Sequence, residues 1–214
     1  MKPLLVLAAF PVVLMGWASC SHSGTGHAAL PDPRAVDKSV PEYKNPFHPS
    51  TYAHFVARKD YRKTYDVYKD DTLLNRQPKK SRKIFVCLDE QRGQYLVDGL
   101  VAMDFPLSSG VKAYPTKTGD YAVISKKEDH TSNLYGKMYD AEGKCINYNA
   151  ESTDPIPEGG RFDGSPMPYW QRLTNAGLGL HVGKVRRHPV SHGCVRLPRN
   201  VAEILYRQTS IGTP

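Results

Sequence analysis

The sequence predicts a mostly β fold, and three features support that class. Residues 84–88 alternate, with Ile84, Val86 and Leu88 on one face of an extended chain and Phe85 and Cys87 on the other. Asp98-Gly99, set between QYLV and LVAMDFPLS, is a dipeptide favoured by two-residue hairpins, because both positions need a left-handed backbone. Two later segments, GDYAVISK and GLGLHV, read as further short strands. In the second, Leu178, Leu180 and Val182 share one face, while Gly179, His181 and Gly183 share the other. His181 therefore points away from the apolar side, with glycines clearing space around it. One short helix is expected near the C-terminus, where Val201, Ile204 and Leu205 recur at helical spacing behind Pro198.

The rest of the chain divides by composition. With 214 residues and 40% hydrophobic content there is room for one domain plus additional segments, and the chain is too polar to cross a membrane many times. Residues 1–19 read as an export signal. Lys2 is followed by PLLVLAAFPVVLMGW, which is shorter than the about 20 residues of a bilayer-spanning helix and suits the apolar region of a signal. Residues 20–81 read as a basic, partly ordered arm: SHSGTGHAALPDPR is small and polar, and apolar and aromatic residues fall at partly helical spacing from 50 to 76. The folded domain is expected at 82–208, with 209–214 as a tail. Within it, residues 126–168 are rich in Gly, Pro, Asp and Asn without sustained periodicity, and read as a long loop of the lid type. Tyr135, Tyr139, Tyr148, His130 and Trp170, in or beside it, are candidates to line a groove. The formal net charge of +8 suits an acidic or carboxylate-bearing partner. No nucleic-acid partner is expected.

The cysteines at 20, 87, 145 and 194 have different company. Cys87 and Cys145 are open to a disulfide in an exported protein, or Cys87 to being a buried free thiol. Cys194 stands in HPVSHGCVRL, near Lys184, Arg186, Arg187, His188, His192, Arg196 and Arg199, with no acid between 181 and 202. It can be a buried structural cysteine, a metal ligand or a nucleophile. Neighbouring positive charge lowers a thiol pKa toward the thiolate, and a histidine on a nearby strand can take the proton, so the nucleophile is favoured. His181, His188, His192 and Cys194 are zinc-ligand types, but their spacing fits no common zinc pattern and the basic neighbours oppose a dication. SGVKAYPTKTG lacks the glycine spacing of a phosphate loop. Neither metal nor cofactor is expected.

The stretch GLGLHVGKVRRHPVSHGCVRLPRNVAEILY resembles the signature of the L,D-transpeptidases, the YkuD-type catalytic domain. In that family a histidine precedes an S-H-G-C-aliphatic-R/N motif by little more than ten residues. Here His181 lies 13 residues before Cys194, within Ser191-His192-Gly193-Cys194-Val195-Arg196. IFVCLDEQRGQYLVDGLVAMDFPLSSG is similar to the family's opening strands, PTKTGDYAV to its Thr-Pro-containing turn, and MPYWQRLTNAGLGLHVG to the approach to the histidine. The resemblance covers roughly 82 to 207. Lys117 stands where the turn usually has proline. Val182 follows His181 where some members have serine, which leaves a backbone carbonyl to orient the imidazole. The chain start resembles a bacterial lipoprotein signal, with Ala18-Ser19 before Cys20 as the residue to be lipidated, and Trp17 at a usually aliphatic position.

The resemblance implies a YkuD-type β-sandwich-like domain with short helices, acting on the tetrapeptide stem of peptidoglycan. Cys194 is then the nucleophile, His181 the general base and the Gly193 backbone an oxyanion donor. Arg196, His192, Ser191, Tyr135 and Trp170 become substrate-binding candidates, Arg196 by bidentate hydrogen bonds to stem carboxylates. D-Alanine leaves, and the resulting thioester is resolved by an amine: a second stem, a lysine of an envelope-anchored protein or a free D-amino acid. The implied location is the cell envelope or periplasm, with a membrane anchor through Cys20. Two alternatives stay open. Water as acceptor makes an L,D-carboxypeptidase, and loss of chemistry makes a wall-binding lipoprotein, which the intact His181/Cys194 pair opposes.

Overall fold

The computed structural model describes residues 32–78 and 81–214. The expected signal at 1–19 and the lipidation site Cys20 lie outside the described residues. The arm expected before residue 82 contributes three elements. In α1 (Tyr52–Ala57) the Thr51 hydroxyl caps the helix, accepting from the His54 amide at 3.2 Å, and Phe55, Val56 and Ala57 are buried. β1 (Tyr68–Lys69) follows, then α2 (Asp71–Asn75), capped by the Asp70 carboxylate on the Leu73 amide and burying Leu74.

Next come β2 (Arg82–Cys87), β3 (Arg92–Val97) and β4 (Leu100–Pro106). The predicted hairpin joins β3 to β4, with Asp98 and Gly99 at φ 52° and 79°, both left-handed. With β1 these strands form an antiparallel sheet in the order β1-β4-β3-β2. Its two faces differ. Tyr95, paired with Met103, enters the main core together with Phe105, Leu180, Val195, Leu197, Val201 and Leu205.

On the opposite face Gln94 pairs with Asp104, and the arm covers them. The fully buried Asp104 accepts from Arg92 Nε at 2.6 Å, from the Tyr52 hydroxyl at 2.7 Å and from the Tyr61 hydroxyl at 2.8 Å. The Arg92 guanidinium lies over the rings of Phe55 and Tyr61, 5.3 and 4.9 Å from their centroids. A buried ion pair survives desolvation only when its remaining hydrogen-bonding groups are satisfied as well, and the arm supplies those partners.

β5 (Ser125–Lys127) is all that forms of the strand expected in GDYAVISK. Val123 and Ile124 instead donate to different segments, to the Thr213 and Arg172 carbonyls, so no ladder builds there. The loop expected at 126–168 is also corrected. It folds into β6 (Thr131–Tyr139), β7 (Cys145–Glu151) and β8 (Arg161–Pro166), an antiparallel sheet in the order β7-β6-β8. The sequence hides these strands because Ile146, Asn147, Tyr148 and Asn149 are exposed in succession and register shifts interrupt both pairings.

β9 (Trp170–Arg172), β10 (Gly179–Val182) and β11 (Val195–Leu197) complete a further sheet in the order β11-β10-β9-β5. In it β10 and β11 run parallel and the other pairs antiparallel. α3 (Arg199–Gln208) follows Pro198 as expected and buries Val201, Ala202 and Leu205. The expected tail is knit in: the Pro214 carbonyl accepts from the Ile84 amide at 2.8 Å. Cys145 is a free thiol, so no bridge joins it to Cys87. Among the described residues no helix is long and apolar enough to cross a membrane.

Candidate active site

Two parallel strands and one tight loop position the candidate reactive groups. β10 places Leu180 in the core and turns His181 to the other side, as the alternation predicts. Pairing of β10 with β11 sets His181 opposite Arg196, two residues beyond Cys194. His181 Nδ1 lies 2.7 Å from the Val182 carbonyl oxygen. A carbonyl only accepts, so Nδ1 carries the proton and Nε2 keeps a free lone pair. The backbone thus orients this imidazole, as expected where no serine follows. Trp170, 4% exposed, packs with its ring 5.9 Å from the imidazole and 5.0 Å from that of His130. Burial pushes the His181 pKa down to about 4, outweighing the bond to Val182, so the ring is neutral at neutral pH.

The cysteine is presented by a loop tied to itself and to the chain after β4. Ser191 Oγ donates to the Cys194 carbonyl at 2.5 Å and accepts from the Gly193 amide at 3.2 Å. Thr116 Oγ1 donates to the Gly193 carbonyl at 2.5 Å and accepts from the Gly110 amide at 2.8 Å. Gly193 has φ 117°, open to glycine alone, and a Cβ on Gly110 would lie 2.8 Å from the Gly193 Cα. Gly110 is therefore required by the close approach and Gly193 by its backbone conformation.

The Cys194 thiol is free and its Sγ lies 3.3 Å from the Gly177 carbonyl oxygen. Burial pushes its pKa above the ordinary 9.0, while a Gly179 backbone hydrogen bond and the Arg196 charge pull the other way. The pull toward thiolate expected from nearby basic residues is thus present from Arg196 but outweighed by burial. Of the basic residues expected around the sulfur, Arg196 is the one whose charge acts on the thiol. Lys184, Arg186 and His188 are exposed, and Arg187 binds the Thr64 and Glu90 carbonyls instead.

Cys194 and His181 line one groove of about 880 Å³. The other expected site residues reach it in different ways. Tyr135 of β6 stacks on His192 at 4.4 Å and 15°, and Tyr114 closes on the same imidazole at 4.8 Å. Arg196, Trp170, His130 and Tyr148 also line the groove, whereas Tyr139 lies off its wall against Arg161. Ser191 and His192 line the groove as well, and Ser191, 2% exposed, has its hydroxyl engaged on both sides as a tie within the loop. Sequence reasoning missed Thr116 and Tyr114 as site residues, although Thr116 lies in the PTKTG turn. The Gly177 carbonyl leaves no side-chain signal. Lys117, Arg172, Lys184 and Arg196 line the groove, and no Asp or Glu does among the described residues. Nor, among these residues, are three or more His, Cys, Asp or Glu grouped to hold a metal.

The model of the YkuD family, the L,D-transpeptidase catalytic domain, matches residues 81–214. Probable L,D-transpeptidase 3 of Mycobacterium tuberculosis is 31% identical over 116 residues, which are 51% of this chain and 36% of that protein. The chain thus spans well under two thirds of that relative. An L,D-transpeptidase structure from Mycobacterium smegmatis is 21% identical with a TM-score of 0.47, covering 62% of this chain and 56% of that one. The catalytic domain of the Enterococcus faecium L,D-transpeptidase is 28% identical with a TM-score of 0.45, covering 63% and 94%. By the family match over most of its length, the chain belongs to the YkuD family of L,D-transpeptidase catalytic domains.

Proposed function

We propose that the protein transfers acyl groups from the tetrapeptide stem of peptidoglycan through Cys194. One observation carries this reading: a free thiol shares a groove with a buried imidazole whose backbone bond leaves Nε2 able to accept a proton. As sulfur attacks the carbonyl joining the third residue to the terminal D-alanine, its proton passes to His181. The developing oxyanion is met by the backbone N–H groups around Gly193 and Cys194. His181 returns the proton to the D-alanine nitrogen, the C–N bond breaks and a thioester remains. An amine then attacks the thioester, its proton passes by way of His181 to the departing sulfur, and a new amide forms.

Transfer from a neutral pair suits this order of events, since burial disfavours both charged forms until the substrate arrives. The four groove cations, with Arg196 nearest the sulfur in sequence, suit a donor that carries several carboxylates. The acceptor amine belongs to a second stem, to a lysine of an envelope-anchored protein or to a free D-amino acid. Lys2, the apolar run after it and Ala18-Ser19-Cys20 support action in the cell envelope with a lipid on Cys20.

The test mixes the full chain, or its Cys194→Ala variant, with purified disaccharide-tetrapeptide and follows products by mass spectrometry. Dimer lacking one D-alanine, formed by the wild type alone, is expected. Tripeptide without dimer would make the protein an L,D-carboxypeptidase. No change with either protein would favour the wall-binding reading.

A further inference from the structure

The loop from Gly183 to Gly193 joins the two reactive residues and is held from two sides. On its inner side the Arg186 amide donates to Ser108 Oγ at 2.8 Å, and the Val190 and Ser191 amides donate to the Ser109 carbonyl at 2.8 and 3.1 Å. Its outer side meets the segment that precedes the family domain. Arg187 Nη1 donates to the Thr64 carbonyl at 3.0 Å and Nη2 to the Glu90 carbonyl at 2.9 Å, while the Tyr65 hydroxyl donates to the Arg186 carbonyl at 3.2 Å. The Thr64 carbonyl also accepts from Arg92 Nη1 at 3.2 Å, and Arg92 is the partner of buried Asp104. A continuous polar chain therefore runs from the core ion pair, through one backbone carbonyl, to the loop that carries the cysteine.

Three features of Arg187 are unfavourable taken singly. Its backbone sits at φ 55°, a left-handed conformation rare for a non-glycine residue. Its guanidinium shares a carbonyl with a second guanidinium, so like charges lie close together. Its Nε is buried without a partner among the described residues. Such strain persists only where the surroundings over-determine it, and here the side chain ties together segments 123 and 97 residues away in sequence.

We propose that residues 32–78 brace the active-site loop and that Arg187 is the positioning residue of the brace, its grip on Thr64 and Glu90 fixing where Cys194 sits relative to His181. The proposal rests on Cys194 being the nucleophile. Misplacing a reacting group by about 1 Å costs on the order of 100-fold in rate, so a residue that touches no substrate can govern kcat. The segment outside the family match is then part of the catalytic apparatus.

The experiment measures kcat, KM and thermal midpoint for the full chain carrying Arg187→Ala or Arg187→Lys, with and without added methylguanidinium. For Arg187→Ala, kcat is expected to fall about 10- to 100-fold with KM little changed. Methylguanidinium, refilling the vacated fork, is expected to restore part of kcat in that variant and nothing in the wild type. Arg187→Lys is expected to lie between the two, because one ammonium cannot reproduce a fork on two carbonyls. It carries the test alone if the alanine variant does not fold. A wild-type kcat in the variants overturns the proposal. So does a loss of kcat that only follows the loss of folded protein and does not respond to methylguanidinium. Turnover by Cys194→Ala would instead strike the reading of the nucleophile, whatever Arg187 does.

Discussion

Two buried polar clusters in this molecule are completed differently. Around Asp104 the carboxylate takes Arg92, Tyr52 and Tyr61, and Arg92 goes on to the Thr64 and Asp66 carbonyls. Around Cys194 the sulfur has a carbonyl at 3.3 Å, and His181 bonds through Nδ1. Both clusters lose hydration. In the first, close pairing offsets the loss and makes a rigid joint between the arm and the sheet. In the second the thiol and the imidazole have fewer partners, and burial pushes the imidazole pKa down and the thiol pKa up. Burial also raises the Tyr52 and Tyr61 hydroxyls of the first, so the clusters differ in pairing and not in desolvation. Incomplete pairing in a groove is what separates the candidate site from the structural cluster here.

The largest expected effect breaks the first cluster. Asp104→Ala leaves the Arg92 guanidinium buried and uncompensated and should lower the unfolding free energy by about 3–5 kcal/mol in a denaturant titration. A loss under about 1 kcal/mol would put the pair among ordinary surface ion pairs and remove the contrast. The second effect sharpens the other side. His181 has a folded pKa of about 4 against an ordinary 6.5, so between those values the unfolded chain binds a proton that the native chain does not. The stability associated with the neutral ring is full above 6.5 and is lost as pH falls toward 4, by roughly 3 kcal/mol. Unfolding curves across this window for wild type and His181→Gln should diverge in that direction. Parallel curves would mean that the imidazole is not desolvated.

What the sequence showed, and what it hid, follows the same division. The β3–β4 hairpin, the placement of His181 on β10 and the helix behind Pro198 rest on local patterns, and each is present. Arg92, Gln94 and Asp104 were unreadable as buried residues, because polar positions alternating with Tyr95, Met103 and Phe105 look like a solvent face. Only the cover of α1 and Tyr61, from a segment that reads as an arm, reverses that. The β6–β8 sheet escaped because exposure of successive residues on β7 leaves no period to detect. At the candidate site, the shared groove of His181 and Cys194 agrees with the sequence reading, but the balance of burial and charge on the thiol was not legible. Of the basic residues near Cys194 in sequence, Arg187 turns to the Thr64 and Glu90 carbonyls while Lys184 and Arg196 line the groove, and burial outweighs the Arg196 charge on the thiol.

The most direct measurement is intact-protein mass spectrometry of the full chain during reaction with disaccharide-tetrapeptide, followed by digestion to locate any adduct. Cys145 is also a free thiol, so the protein carries its own control. A transient gain equal to the donor minus D-alanine is expected on the peptide containing Cys194, absent from Cys145 and from the Cys194→Ala variant. Release of D-alanine at the wild-type rate by Cys194→Ala, or an adduct on Cys145 alone, would contradict it.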